Sequence, residues 1–151
     1  MSIRVVDGVS YEMRQLGKEE ILSRLLELEE FLAPAFEKAY GEIQAIDALI
    51  LAMEGKCWVF VGEINSKLMV ALILETIKYP RKKVLNFLAY AGKTRGFQWF
   101  HEEVKAWATA EGYDELRGYG TEATMRLARK YYGWEEIYRV YAIKLEMRGL
   151  S

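Results

Sequence analysis

The chain has 151 residues, 52% hydrophobic and 28% charged, with a formal net charge of -1. That composition suits a single globular domain over residues 1-151 with a buried core. The balanced charge excludes the broad basic field that drives sequence-independent nucleic-acid binding.

The opening residues MSIRVVDG hold neither a long apolar signal core nor a cleavage-site pattern. No apolar run approaches the roughly 20 residues needed to span a bilayer. The expectation is a soluble, cytoplasmic protein with neither nucleic acid nor membrane as partner. Cys57 is the single cysteine and His101 the single histidine. An intramolecular disulfide, a thiolate zinc site and a histidine-based metal cluster are therefore ruled out within one chain, and no metal is expected. Cys57 reads as a small buried strand residue.

In chain order, Ile3 to Val6 and Val9 to Leu16 are predicted strands on either side of an Asp7-Gly8 turn. In the second, Val9, Tyr11 and Met13 alternate with Ser10, Glu12 and Arg14, the period of a strand with one buried face. From Lys18 the period becomes helical, with Ile21, Leu22, Leu25, Leu28 and Leu32 forming a stripe. Pro34 should end that helix or open the next. A second helix is predicted from about Ala35 to Glu54, bent near Gly41 and stopped by Gly55. Cys57 to Ile64 and Lys67 to Lys78 read as a hairpin about Asn65-Ser66. Val84 to Tyr90 follows the Tyr79 to Lys83 turn as a third antiparallel strand.

The stretch from Lys83 to Glu111 has the clearest ligand-binding logic. An apolar strand enters the basic, glycine-bearing loop Gly92 to Gly96, which enters an amphipathic helix with Phe97, Phe100, Val104, Trp107 and Ala108 on its inner face. Free N–H groups at that helix start, beside Lys93 and Arg95, suit an anion. Gly112 closes the helix. A short strand, Asp114 to Tyr119, comes next, followed by a helix from Thr121 to Tyr132 with Met125, Leu127 and Ala128 inward. Gly133 ends this helix, Trp134 to Glu146 is the last predicted strand, and Met147 to Ser151 should be loose.

This element order is no regular βαβ alternation. It predicts an α+β fold in αβα layers, a mixed, mostly antiparallel sheet with helices on both faces. From about Val9 to Leu145 the chain resembles the GNAT (N-acetyltransferase-like) fold family, most of all the small GNAT-like proteins encoded by phages and prophages. The phrases that carry the resemblance are Tyr79-Pro80 followed by VLNFLAYAG, then EEVKAWATAEGYDEL, and RLARKYYGWEEIYRVYAIKL.

The resemblance implies acetyl-CoA or CoA as cofactor. Tyr90 and Ala91 would lie beside the pantetheine, and Gly92, Lys93, Thr94, Arg95 and Gly96 would form the pyrophosphate turn. AGKTRGF departs from the usual enzyme loop, which carries Arg or Gln, two spacers and Gly-x-Gly or Gly-x-Ala. The tyrosine that serves many of these enzymes as general acid, four residues before a Gly-Phe pair, is replaced here by Arg129, ahead of Gly133-Trp134. Arginine keeps its proton.

No catalytic residue is assigned by sequence. Tyr131 and Tyr132 are out of register and read as packing residues. His101 reads as lying on a solvated helix face, despite a suitable pKa. Glu75 is the better general base, against the plainer reading of a solvent-facing strand position. Lys78, Arg81, Lys82 and Lys83 suit either a CoA 3′-phosphate or an acidic partner, and such a turn is usually just solvated. Aromatic residues make up 13% of the chain. That share leaves two readings of Trp99 and Tyr138, as contact residues for a protein partner or for self-association, or as rings that roof the sheet, which sequence alone does not separate.

Two functions stay open at this level. One is a GNAT-like protein of phage or prophage origin, in the host cytoplasm, acting through protein interaction or a degenerate acetyltransferase activity. The other is an acetyl-CoA-dependent N-acetyltransferase of an amine.

Overall fold

Asp7-Gly8 and Asn65-Ser66 both turn as their sequences predict: all four residues have positive φ, between 49° and 76°. Two left-handed central residues twist a tight hairpin in the same sense as its strands. Each therefore joins antiparallel neighbours: β1 (Ser2–Val6) with β2 (Val9–Leu16), and β3 (Trp58–Ile64) with β4 (Lys67–Tyr79). The computed structural model describes residues 2–37, 41–92 and 97–146. The chain divides into two compact units, Met1–Tyr119 and Gly120–Ser151.

The first unit holds a six-stranded sheet in the order β1-β2-β3-β4-β5-β6, with β5 at Lys82–Gly92 and β6 at Glu115–Gly118. All neighbours are antiparallel except β5 and β6. That parallel pair needs a crossover, which α4 (Phe97–Ala110) supplies. The α+β expectation is met.

One face carries α1 (Lys18–Ser23), α2 (Leu25–Glu37) and α3 (Ala45–Met53). Their buried Ile21, Leu28, Leu32, Phe36 and Leu49 pack with Val59, Val61, Ala71 and Ile73. Leu28, Leu32 and Leu49 are fully enclosed, so truncating any of them to alanine costs about 2–5 kcal/mol. The other face carries α4, whose Phe100, Val104 and Ala108 pack on Met13, Phe60, Val70, Leu72, Leu74 and Leu85.

The predicted helices are corrected in two places. Pro34 neither ends nor begins a helix; it lies inside α2, which runs on through Phe36 and Glu37. Proline forfeits one N–H, and here the enclosed Leu32 and Phe36 on either side hold the turn. The second helix starts at Ala45 instead of Ala35, where Gln44 and Asp47 form a capping box. The backbone N–H of Gln44 donates to Asp47 Oδ2 at 3.0 Å, which satisfies a donor that the helix leaves open.

The second unit contains α5 (Glu122–Tyr132). Thr121 caps it by accepting from the Thr124 N–H, and Gly133 ends it at φ 72°. Of Met125, Leu127 and Ala128, expected to face inward, Met125 and Ala128 are half-buried while Leu127 is 52% exposed, and α5 has no fully buried residue. The strand predicted over Trp134 to Glu146 is also corrected: residues 134–146 form no regular secondary structure. Residues 147–151 lie outside the described residues.

Candidate functional site

The predicted site begins where two strand pairings part. β6 pairs with β5 only from Val84↔Glu115 to Phe87↔Gly118. Beyond Phe87, β5 continues as Leu88, Ala89, Tyr90, Ala91 and Gly92, bonded to β4 alone among the described strands. The pairing with β4 shifts register at the same place: Leu74 faces Phe87 and Ile73 faces Ala89, so Leu88 stands opposite no residue. Such a bulge bends a strand and frees backbone groups from the ladder. From Leu88 to Gly92, β5 thus runs beyond its pairing with β6 as the chain approaches α4.

Tyr90 and Ala91 fall within this edge. Tyr90 packs with the α4-side core and Ala91 with the core on the opposite face. Gly92 closes β5, paired with Val70, with φ 153°. A Cβ there would lie 2.5 Å from the Met69 carbonyl oxygen. Close approach to β4 thus requires glycine at this position whether or not a phosphate binds. Lys93, Thr94, Arg95 and Gly96 lie outside the described residues. The 14-residue α4 that follows has no acidic residue in its first turn, which leaves the positive end of its dipole uncompensated.

A polar row crosses the face opposite α4 one register step before the pairings part. Trp58 pairs with Leu74, which places Cys57 opposite Glu75; Glu75 pairs with Asn86, and Asn86 with Arg117. Asn86 Nδ2 donates to Glu75 Oε1 at 2.9 Å. Asn86 is 1% exposed, and its Oδ1 has no hydrogen-bond partner among the described residues. Burial, and then the Glu75 charge, push the Cys57 thiol up to about 11, which leaves it unreactive at neutral pH. Glu75, expected at a solvent-facing position, is instead half-buried and bonded to Asn86. The one sequence signal for Asn86 is an asparagine inside an otherwise apolar strand.

His101 is corrected. It is 5% exposed rather than solvated, because it adjoins Phe100 on the broad face that α4 turns to the sheet. Burial lowers its pKa, offset in part by Glu102. The imidazole is therefore neutral at pH 7.

Of the basic turn, Lys82 pairs with Glu115 at 2.9 Å, and Lys83 donates to the Glu111 carbonyl at 3.1 Å while lying over the Tyr113 ring. Arg117 first, and then Lys82, hold the Glu115 carboxyl below its usual range. At about 3.3 Å per residue, this end of β5 is roughly 30 Å from Gly92. These lysines lie too far away to serve a phosphate held at the α4 start. Trp99 packs at its ring edge against Tyr11, 5.9 Å between centroids, and against Phe100 at 4.9 Å. It belongs to the α4 face of the core, while Tyr138 is exposed.

Among the described residues no group of His, Cys, Asp and Glu is placed to hold a metal ion, and no helix is long and apolar enough to cross a membrane. No family model matches the sequence, and no curated protein does. Solved structures do match. An aminoglycoside acetyltransferase, meta-AAC0020, from an uncultured soil metagenomic sample, solved with sisomicin, shares 16% identity over 90% of this chain and 97% of its own, with a TM-score of 0.68. Aminoglycoside N-acetyltransferase AAC(6')-Iy, solved with CoA, shares 17% identity over 95% of this chain and 100% of its own, with a TM-score of 0.67. A GCN5-related N-acetyltransferase from Ralstonia eutropha JMP134 shares 18% identity over 89% of this chain and 98% of its own, with a TM-score of 0.66. None of the three is named as a phage or prophage protein. With the mostly antiparallel sheet, the parted β5 and β6, and α4 following directly, the chain has the fold of the GNAT N-acetyltransferases.

Proposed function

We propose that this protein is an acetyl-CoA-dependent N-acetyltransferase acting on an amine. The observation that carries the reading is the end of the β5–β6 pairing at Phe87, after which β5 runs on through Gly92 to a helix with no acidic residue in its first turn. Where two strands part, an extended amide-bearing chain such as pantetheine can lie between them and hydrogen-bond to backbone. A helix start, with Lys93 and Arg95 just before it in sequence, offers N–H groups and charge to a pyrophosphate. The CoA bound to a structural neighbour of the same fold supports this choice of cofactor. Bound there, acetyl-CoA would supply the activated acyl group.

Holding an amine against that thioester replaces a collision in water with a positioned encounter, a large share of such a rate enhancement. Glu75 is the group we assign to accept the amine proton, directly or through one water. It lies one register step from the parting of β5 and β6, and Asn86 fixes its orientation. Arg129 is no proton donor to the departing thiolate, so that proton comes from solvent.

Titration calorimetry with CoA and acetyl-CoA tests the reading. Micromolar binding is expected, weakened about tenfold or more by Arg95→Glu. Glu75→Gln should lower kcat with a broad amine panel and leave CoA affinity unchanged. Failure to bind cofactor even at millimolar concentration would overturn the proposal.

A further inference from the structure

Asn86 stands in the middle of the polar row, opposite Glu75 on β4 and Arg117 on β6. Its Nδ2 donates to Glu75 Oε1 at 2.9 Å, and that bond decides which way the amide faces. The nitrogen is drawn toward β4, so Oδ1 lies on the β6 side of the strand, one residue before the last pairing of β5 with β6. A flipped amide would set its oxygen against a carboxylate, two acceptors with no proton between them. Oδ1 is enclosed and has no hydrogen-bond partner among the described residues. Arg117 does not fill that role: it donates to Glu115 Oε1 at 2.8 Å and to the Tyr79 hydroxyl at 3.1 Å. A buried acceptor left unpaired is costly, and native proteins keep few of them.

We infer, on the acetyltransferase reading above, that Asn86 Oδ1 receives one N–H of the acceptor amine beside Glu75 and so selects primary amines over their N-methyl counterparts. An attacking amine must keep its lone pair for the thioester carbonyl. A primary amine then has two N–H groups, one for Glu75 and one for Oδ1, whereas a secondary amine has a single N–H. In the transfer, the amine nitrogen forms the new N–C bond as the thioester C–S bond breaks, one amine proton passes to Glu75, and the departing thiolate takes its proton from solvent. The product amide retains the other N–H, so the contact with Oδ1 lasts through the reaction. An N-methyl group brings no hydrogen to that oxygen and leaves it buried and unpaired. Glu75 is half-buried while Oδ1 is enclosed, so an incoming amine meets the carboxylate first and reaches Oδ1 by displacing the side chains around it.

Paired kinetics on the full chain are the test, with acetyl-CoA and a panel of primary amines, each beside its N-methyl derivative. In wild type, kcat/KM should be at least about 100-fold higher for the primary member of a pair. Asn86→Leu removes the oxygen at similar volume and should shrink that ratio to about tenfold or less, with CoA affinity by calorimetry unchanged. Loss of the bond to Glu75 in this variant slows both members of a pair alike, so the ratio isolates Oδ1. Asn86→Ala, which removes the same oxygen with less bulk, serves if the leucine variant does not fold. An unchanged ratio in a folded variant makes Asn86 a structural residue and overturns the proposal. So does a wild type that acetylates both members equally well, a measurement that needs no variant. In both cases the acetyltransferase reading stands. Cofactor binding without acetylation of any amine, or no cofactor binding at all, overturns that reading and this proposal with it.

Discussion

The Phe100 ring occupies the space that a side chain on Gly62 would need: a Cβ there would meet Phe100 Cε1 at 2.7 Å. Gly62 lies in β3, at a register shift in its pairing with β4, and Phe100 is fully enclosed on α4. The missing side chain is thus a notch that sets the depth at which α4 seats on the sheet, and with it the start of the helix at the proposed site. Gly62→Ala should destabilise the protein by about 1–3 kcal/mol, because a buried ring has nowhere to retreat. Combining it with Phe100→Leu should recover part of the loss. Urea unfolding of the two single variants and the double variant measures the coupling, which adjacent residues should show and independent ones should not.

Asn86 and Glu75 give a second prediction. Asn86→Asp replaces a donor to Glu75 with a second carboxylate in an enclosed position. At neutral pH the variant should lose about 3 kcal/mol, the scale of an unpaired buried charge. Like charges raise the apparent pKa values of the pair above those of the unfolded chain. The penalty is therefore full above the raised folded value and shrinks as pH falls through it. A variant whose stability relative to wild type stays flat from neutral pH to about pH 4 would show that the two groups do not interact.

How legible this was in the sequence depends on which force set each element. The β1 to β5 strands were readable because short apolar or alternating runs bounded by turn residues are local signals, as are the paired left-handed residues of the Asp7-Gly8 and Asn65-Ser66 turns. Pro34 misled because a proline penalty is local and the enclosed Leu32 and Phe36 that outweigh it are tertiary. His101 misled for the same reason: its neighbours in sequence are Glu102 and Glu103, but its neighbours in space are set by the seating of α4. The segment 134–146 carries a strand pattern without a strand, since alternation states which residues want burial and leaves the hydrogen-bonding partner unspecified. The strand-loop-helix pattern placed Tyr90 to Gly92 at the end of a strand, and they do close β5. The parting of β5 and β6 and the Leu88 bulge were not legible, because both are relations between strands distant in sequence.

His101 yields a pH prediction with a definite sign. Its folded-state pKa is lowered from 6.5 by burial, so the unfolded chain takes up the proton first. Stability therefore falls as pH drops below about 6.5, until the folded value is reached. The charged groups facing it on α4 act oppositely, Glu102 raising the pKa and Lys105 lowering it. His101→Gln should remove this component, giving a shallower loss of stability between neutral pH and about pH 5 than wild type shows. Chemical denaturation at both pH values measures the two slopes, and identical slopes would mean that the imidazole titrates alike in both states.

Cys57 provides a direct probe of the polar row. Its thiol is buried and held up at about 11, first by burial and then by the Glu75 charge. Thiolate is the reactive form, so a disulfide reagent at neutral pH should modify the native protein at least about 100-fold more slowly than the urea-unfolded chain, whose thiol titrates near 8.5. Glu75→Gln removes the secondary cause and leaves the burial. It should therefore speed native modification only modestly, by a few-fold. A large acceleration in that variant would reverse the order of causes and make the carboxylate, rather than the apolar enclosure, the main guard of the thiol.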